Sequence, residues 1–323
     1  MTTSAQTTAG GATTARPTRN DAVAFLVMTA LFAAAPLAVY PFFMMQALCF
    51  ALFACAFNLL IGYVGLLSFG HAMFLGTGGY LSAHAARVWG LSPELSILFG
   101  VVGSTVLGAV TGALAIRRQG IYFAMITLAL SQMIYFFYLE APFTHGEDGI
   151  QGVPQGRLLG LVPLSNPWAL YYFVLAVFLF GFLAIYRTVN SPFGEVLKAV
   201  RENEPRAISL GYRVDRYKLA AFVLSAALCG LAGGTKAIVA QNASLTDVHY
   251  LMSGEVVLMT LLGGMGTIYG PVVGALILVA MQNYLAQYGQ WVTVIQGAIF
   301  IVCVLLFRRG VVGEIAHRFK LSL

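Results

Sequence analysis

AVAFLVMTALFAAAPLAVYPFFMMQALCFALFACAFNLLIGYVGLLSFGHAMFLGTGGYLSAHAA, residues 22–86, contains no Asp, Glu, Lys or Arg. A transmembrane helix takes about 20 consecutive apolar residues, so this stretch alone has room for about three. Uncharged runs recur at Leu95 to Ile116, Gln119 to Leu139, Leu158 to Tyr186 and Val256 to Phe307, and Leu219 to Gln241 is interrupted only by Lys236. The chain is 9% charged and 59% hydrophobic, whereas a soluble domain is about 25% charged. The pattern predicts an all-α, polytopic integral membrane protein of about ten transmembrane helices, or about eight to ten if Gly-rich segments form half-helices.

Charge placement predicts the orientation. With the N-terminus inside, Arg16, Arg19, Arg117, Arg118, seven basic residues between 187 and 218, Arg308, Arg309, Arg318 and Lys320 fall on the cytoplasmic side. Only Arg87, Arg157 and Lys236 lie elsewhere, so the positive-inside rule puts both termini in the cytoplasm and makes the number of spans even. The net charge of +6 then reflects topology and anionic lipid and gives no case for nucleic acid. Residues 1–20, rich in Thr, Ala and Gly, are expected to be a disordered cytoplasmic tail without a signal-peptide pattern. Residues 21–309 form the membrane domain of this reading, and 310–323 a cytoplasmic C-terminal tail. Cys49, Cys55, Cys229 and Cys303 lie in apolar segments without ligand spacing, which supports neither a disulfide framework nor a metal site.

The stretch Arg187 to Lys218 is the exception to the low charge. It holds eleven of the thirty charged residues, more polarity than a simple connection between spans needs, and is a candidate docking surface. Phe193, Val196, Leu197 and Val200 recur at helical spacing, with Lys198 and Glu202 one turn apart on the polar side, as in a short amphipathic surface helix. A second short helix is expected from an N-cap at Glu204, with Pro205 at its first position, to Leu210, closed by Gly211. A helix lying on lipid would account for the basic residues but poorly for the interleaved acids.

Two uncharged segments are dense in glycine: Asn58 to Gly79 and Gly254 to Gly274. Such a pair, one in each half of a membrane chain, points to broken helices beside a transport pathway. The candidate pathway residues are Asn58, Gly62, Gly65, Ser68, Gly70, His71, Gly76, Thr77, Gly263, Gly264 and Gly266. Helix packing is the competing account of any single glycine, and the stripe Gly100, Ser104, Gly108, Gly112 needs no other. His71 and Asn58, polar at membrane depth, must find partners inside the bundle. The loop from Glu140 to Leu161 is dense in turn formers, with Gly146, Gly149, Gly152 and Pro154, and reads as irregular external cover. No nucleophile–base arrangement or metal cluster is evident, and no GxxxxGK[ST] phosphate loop occurs, so no catalytic residue and no bound cofactor is expected in this chain.

Several blocks taken together resemble one family: GYVGLLSFGHAMFLGTGGY (62–80), RRQGIYFAMITLALSQ (117–132), THGEDGIQGVP (144–154), the long block from Asn190 to Gly234, and GGMGTIYGPVVGA (263–275). In order, they are similar to the permease family of high-affinity branched-chain amino-acid ABC importers, and within it to the LivM-type subunit. The likeness runs from about residue 45 to about residue 309. It implies an inner-membrane subunit that pairs with a second, homologous permease, two cytoplasmic ABC ATPase subunits that bind ATP and Mg, and a periplasmic or other extracytoplasmic substrate-binding protein. It also implies an ATPase coupling loop, here Glu202, Glu204, Pro205, Arg206, Ala207 and Gly211. The family pattern is Glu-Ala-Ala, three residues, then Gly; only Ala207 and Gly211 match, so Glu202 or Glu204 is left as the acidic contact. The implied cargo is Leu, Ile and Val, with another amino acid or a urea or short-amide compound as alternatives. A stand-alone channel or secondary transporter is the competing class; it would need an intramembrane ionisable group, for which Lys236 and Glu255 are the nearest candidates.

Overall fold

The computed structural model describes residues 19–319 apart from 38, 159, 161, 290 and 307–309. Its helices are α1 (Arg19–Ala34), α2 (Pro41–Tyr63), α3 (His71–Arg87), α4 (Pro93–Ala115), α5 (Ile121–Glu140), α6 (Pro167–Val189), α7 (Pro192–Glu202), α8 (Glu204–Ser209), α9 (Val214–Ala240), α10 (Tyr250–Gly263), α11 (Gly270–Leu285), α12 (Trp291–Leu306) and α13 (Gly310–Phe319). Proline sits in the first turn of α2, α4, α6, α7, α8 and α11, where its missing N–H costs nothing. Among the described residues α2, α4, α5, α6 and α9 are long and apolar enough to cross a membrane, and apolar helices of 10–17 residues lie within α1, α10, α11 and α12. Together with the more polar α3 they make an all-α, polytopic fold.

The axis of the bundle is α2, whose Leu48, Phe53, Phe57 and Leu60 are fully buried against α6, α9, α10 and α11. Lipid tails are as apolar as leucine, so helices here are held by close fit. The small-residue stripe of α4 supplies that fit. Ser104 Oγ donates to Phe74 O of α3 at 2.9 Å, a Cβ on Gly112 would lie 2.8 Å from Phe222 of α9, and Gly100 and Gly108 face Ser82 and Ala226. The opposite side of α4 exposes Leu98, Val102, Val106, Val110 and Leu114, as a lipid-facing side should.

Several boundaries differ from expectation. The uncharged run expected from Leu158 does not start as a helix: β2 (Arg157–Leu158) pairs with β3 (Val162–Pro163), and α6 begins only at Pro167, capped by Asn166 Oδ1 on Trp168 N. By contrast, α9 starts five residues before its uncharged run and carries Asp215, Arg216 and Lys218 in its first turns. The expected C-terminal tail contains α13, which packs on α10 and α11. Of the expected N-terminal tail, residues 1–18 lie outside the described residues and α1 already begins at Arg19; residues 320–323 also lie outside them.

Candidate functional site

Both glycine-rich segments are broken helices. The first leaves α2 at Tyr63 and enters α3 at His71; the second leaves α10 at Gly263 and enters α11 at Gly270. The two breaks meet, and Asn58 joins them: its Nδ2 donates to Thr267 O at 2.9 Å and its Oδ1 accepts from Gly266 N at 3.0 Å. A side-chain amide can replace both halves of a lost backbone pairing, which is why an uncharged helix carries an Asn here. The approach is close, since a Cβ on Gly62 would lie 2.9 Å from Gly266 N. Gly65 and Gly266 take φ +81 and +78, a conformation open to glycine and strained for most other residues. Gly310, at the start of α13, packs directly on the backbone of Gly264.

Beyond the first break the chain turns inward. Phe69 N donates to Thr127 Oγ1 of α5 at 3.2 Å, Gly70 N to Ser68 Oγ at 3.2 Å, and Ala72 N to Ser253 Oγ of α10 at 2.9 Å. These side chains satisfy N–H groups that a helix start leaves open. His71 is buried among Phe57, Phe74 and Phe222, with ring centroids 4.9–6.0 Å away. Ser225 Oγ donates to Ala56 O at 2.5 Å, so the 3.0 Å contact to His71 Nε2 is a bond that His71 donates. Through Nε2 the histidine ties α3 to α9 and, by way of Ser225, to α2, while its buried Nδ1 has no hydrogen-bond partner among the described residues.

At the other end of the bundle a second device faces the breaks. β4 (Asn242–Ala243) pairs antiparallel with β1 (Ile150–Gln151), knitting the loop after α5 to the loop after α9. The chain then descends beside α3 until Val248 meets Gly76, whose Cβ would lie 3.0 Å from Val248 Cα. Gly76 is eleven residues from the end of α3 at Arg87, which at 1.5 Å per residue is a descent of about 16 Å. Lys236 of α9 pairs with Asp247 in this segment and lies over the Phe50 ring at 5.0 Å. Glu255 of α10 accepts from Gln282 of α11 at 2.9 Å. Both candidate intramembrane ions are therefore occupied by partners within the fold.

The charged stretch folds as two helices with one correction. Ser191 caps α7 and Asn203, not Glu204, caps α8, its Oδ1 accepting from Arg206 N at 3.0 Å. Glu204 is thereby free to bind Lys218, which is buried, at 2.6 Å. Lys198 pairs with Glu195 at 2.9 Å, while Glu202, Pro205 and Arg206 are exposed. Val200, Ala207 and Val214 form a small core that holds α7, α8 and the start of α9 together. Gly211, φ +88, closes α8 with Gly211 N on Ile208 O (2.9 Å) and Tyr212 N on Ala207 O (3.2 Å), the Schellman pattern.

Of the candidate pathway residues, Asn58, Gly62, Ser68, Gly70, His71, Gly76, Thr77, Gly263 and Gly264 are buried. They build the breaks and their packing. Gly65 borders a cavity, an apolar one of about 460 Å³ between the first break and Ile121, Met125 and Leu128 of α5. Sequence reading missed Thr127, Ser225, Ser253 and Thr267, whose roles depend on pairing across 58 to 209 positions. It also missed Arg201, counted only as one charge among many, which donates to Gly62 O.

Comparison with known proteins agrees with this architecture. The chain is 25% identical over 288 residues to the high-affinity branched-chain amino acid transport system permease protein LivM of Salmonella typhimurium, covering 82% of this chain and 68% of that protein. It is 24% identical to the probable branched-chain amino acid transport permease protein LivM of Methanocaldococcus jannaschii (72% and 76% covered). It is also 27% identical to the ribose import permease protein RbsC of Bacillus subtilis (76% and 81% covered). No solved structure matches. The sequence model of the branched-chain amino acid transport system / permease component matches residues 39–304, and with its helical, membrane-spanning fold this chain belongs to that family of ABC-type permeases.

Proposed function

We propose that this chain is the transmembrane permease subunit of an ABC importer that carries leucine, isoleucine and valine across a bacterial inner membrane, with both termini cytoplasmic. It pairs with a second, homologous permease, and the pathway runs along their interface. Two ATPase subunits dock on α7 and α8 and bind the ATP and Mg, and an extracytoplasmic binding protein delivers substrate to the face of β1 and β4. The observation that carries the reading is that the charged helix pair touches the junction of the two helix breaks. A docking surface attached to the place where helices are interrupted can turn a push from outside the membrane into a change of packing within it. The breaks lie at the docking end and the descending segment 242–249 at the other, so alternating access has a candidate closure on each side.

Reconstitution with the three partner subunits and the binding protein tests this. Labelled leucine should enter proteoliposomes only with ATP and binding protein, and excess isoleucine or valine should compete. Because a ribose permease is among the relatives, ribose is the decisive control. Competition by ribose and not by valine would replace the amino-acid reading with a sugar one, and flux without any ATPase subunit would replace the importer with a channel.

A further inference from the structure

We propose that Arg201 is the positioning residue that carries movement of the α7–α8 pair into the junction of the helix breaks; the proposal rests on the importer reading above. Arg201 lies in the last turn of α7, whose Leu197 and Val200 are buried and fix the helix against the bundle. Its guanidinium donates to Gly62 O, one of the carbonyls that the end of α2 leaves without an intrahelical partner. A cation is favoured at that terminus by the helix dipole. The same side chain, which keeps an exposed surface, lies across a glycine of each break: its Cγ lies 3.2 Å from where a Cβ on Gly65 would stand, and its Nη1 3.2 Å from where one on Gly266 would stand. Gly65 belongs to the first break and Gly266 to the second, and Asn58, one turn before Gly62, ties them together.

Two observations separate Arg201 from the two lysines of this stretch. Lys198 and Lys218 are neutralised by Glu195 and Glu204, whereas no ion pair among the described residues uses Arg201; its charge is directed at backbone. Arg201 is also the island cation that reaches both breaks at once, while Lys218 fastens α8 to α9. The island is thus held in two ways, at α8 by an ion pair to a continuous helix and at α7 by a contact with two interrupted ones. A displacement of α7 must either carry the breaks along or pull the guanidinium from Gly62 O.

The test uses the complete reconstituted complex. In Arg201→Ala the ATPase subunits should still co-purify, while leucine imported per ATP hydrolysed falls about tenfold, the scale of one lost charge-assisted hydrogen bond. Arg201→Lys, which can still donate to Gly62 O, should recover much of that loss. Should Arg201→Ala fail to assemble, nitroxides at positions 198 and 265 in a complex retaining Arg201 decide the matter. Their separation should be the same without nucleotide and with ATP trapped, because α7 and the second break move as one; a separation that differs between those states overturns the proposal. Full coupling in Arg201→Ala, or loss of the ATPase subunits from an otherwise intact variant, also overturns it and leaves the importer reading standing. A wild-type complex without ATP-driven import removes that reading, and this proposal with it.

Discussion

At the scale of single residues, several polar groups inside this bundle join two elements, among them Asn58, Ser104, Ser225, Ser253 and Lys236. Lys236 and Asp247 are mostly buried, their side chains 15% and 13% exposed. Removing one member of such a pair leaves a charge without compensation, so Lys236→Met should destabilise the folded protein by roughly 3–5 kcal/mol, and Lys236→Met with Asp247→Leu by much less. Unfolding in mixed micelles, read by protection of the buried cysteines, measures both. Asn58→Leu should lower stability by about 1–3 kcal/mol for each backbone group it strands, Gly266 N and Thr267 O, and should reduce uptake beyond what the fall in protein abundance explains. That Asn58 and His71 would find interior partners was legible in the sequence, because a polar side chain in an uncharged run has no alternative. Which partners they find was not: Thr267 and Ser225 carry no periodic signal, and their pairing exists only once distant helices pack.

At the scale of elements, composition was a good guide to helices and a poor one to their ends. The two glycine-rich segments announced breaks, and first-turn prolines marked the starts of six helices. The half-length of α10, the descent of 242–249 and the docking of α13 were not legible, since each is decided by what it packs against. The island shows both cases. Its two helices follow from spacing, but the cap lies at Asn203 because Asn accepts from a backbone N–H as readily as an acid does and leaves Glu204 for Lys218. Shape should matter more there than any exposed charge pair, which contributes typically below ~1 kcal/mol. Gly211→Val opposes φ +88 and should reduce binding-protein-stimulated ATP hydrolysis several-fold, whereas Glu195→Ala should stay near wild type. Parallel ATPase assays on the two purified complexes make the comparison; equal activities would refute it.

At the scale of the molecule, the contacts sort the chain into two ends. Gly65, Arg201, Gly264 and Gly310 gather at one, and β1, β4 and the 157–163 hairpin at the other. If the island end is cytoplasmic, a cysteine at position 206 should resist membrane-impermeant maleimide in intact cells while one at 147 reacts; the reverse result would invert the topology. The arrangement of α3 also bears on how the chain is made. Its seventeen residues include two histidines, a terminal arginine and three glycines, a composition that the insertion machinery accepts poorly in isolation. Its glycine side is covered by α9, where Gly230 and Gly233 receive Gly78 and Leu75. The ribosome reaches the end of α9 about 150 residues after it finishes α3, which at ~5–20 residues per second is a wait of roughly 8–30 seconds. During that time α3 must shelter against α2 and α4 or linger at the translocon. Nascent chains halted before Val214 should therefore be recognised as orphans and degraded by membrane proteases far faster than chains halted after Ala240, which makes the late arrival of one helix the quality-control checkpoint for an early one.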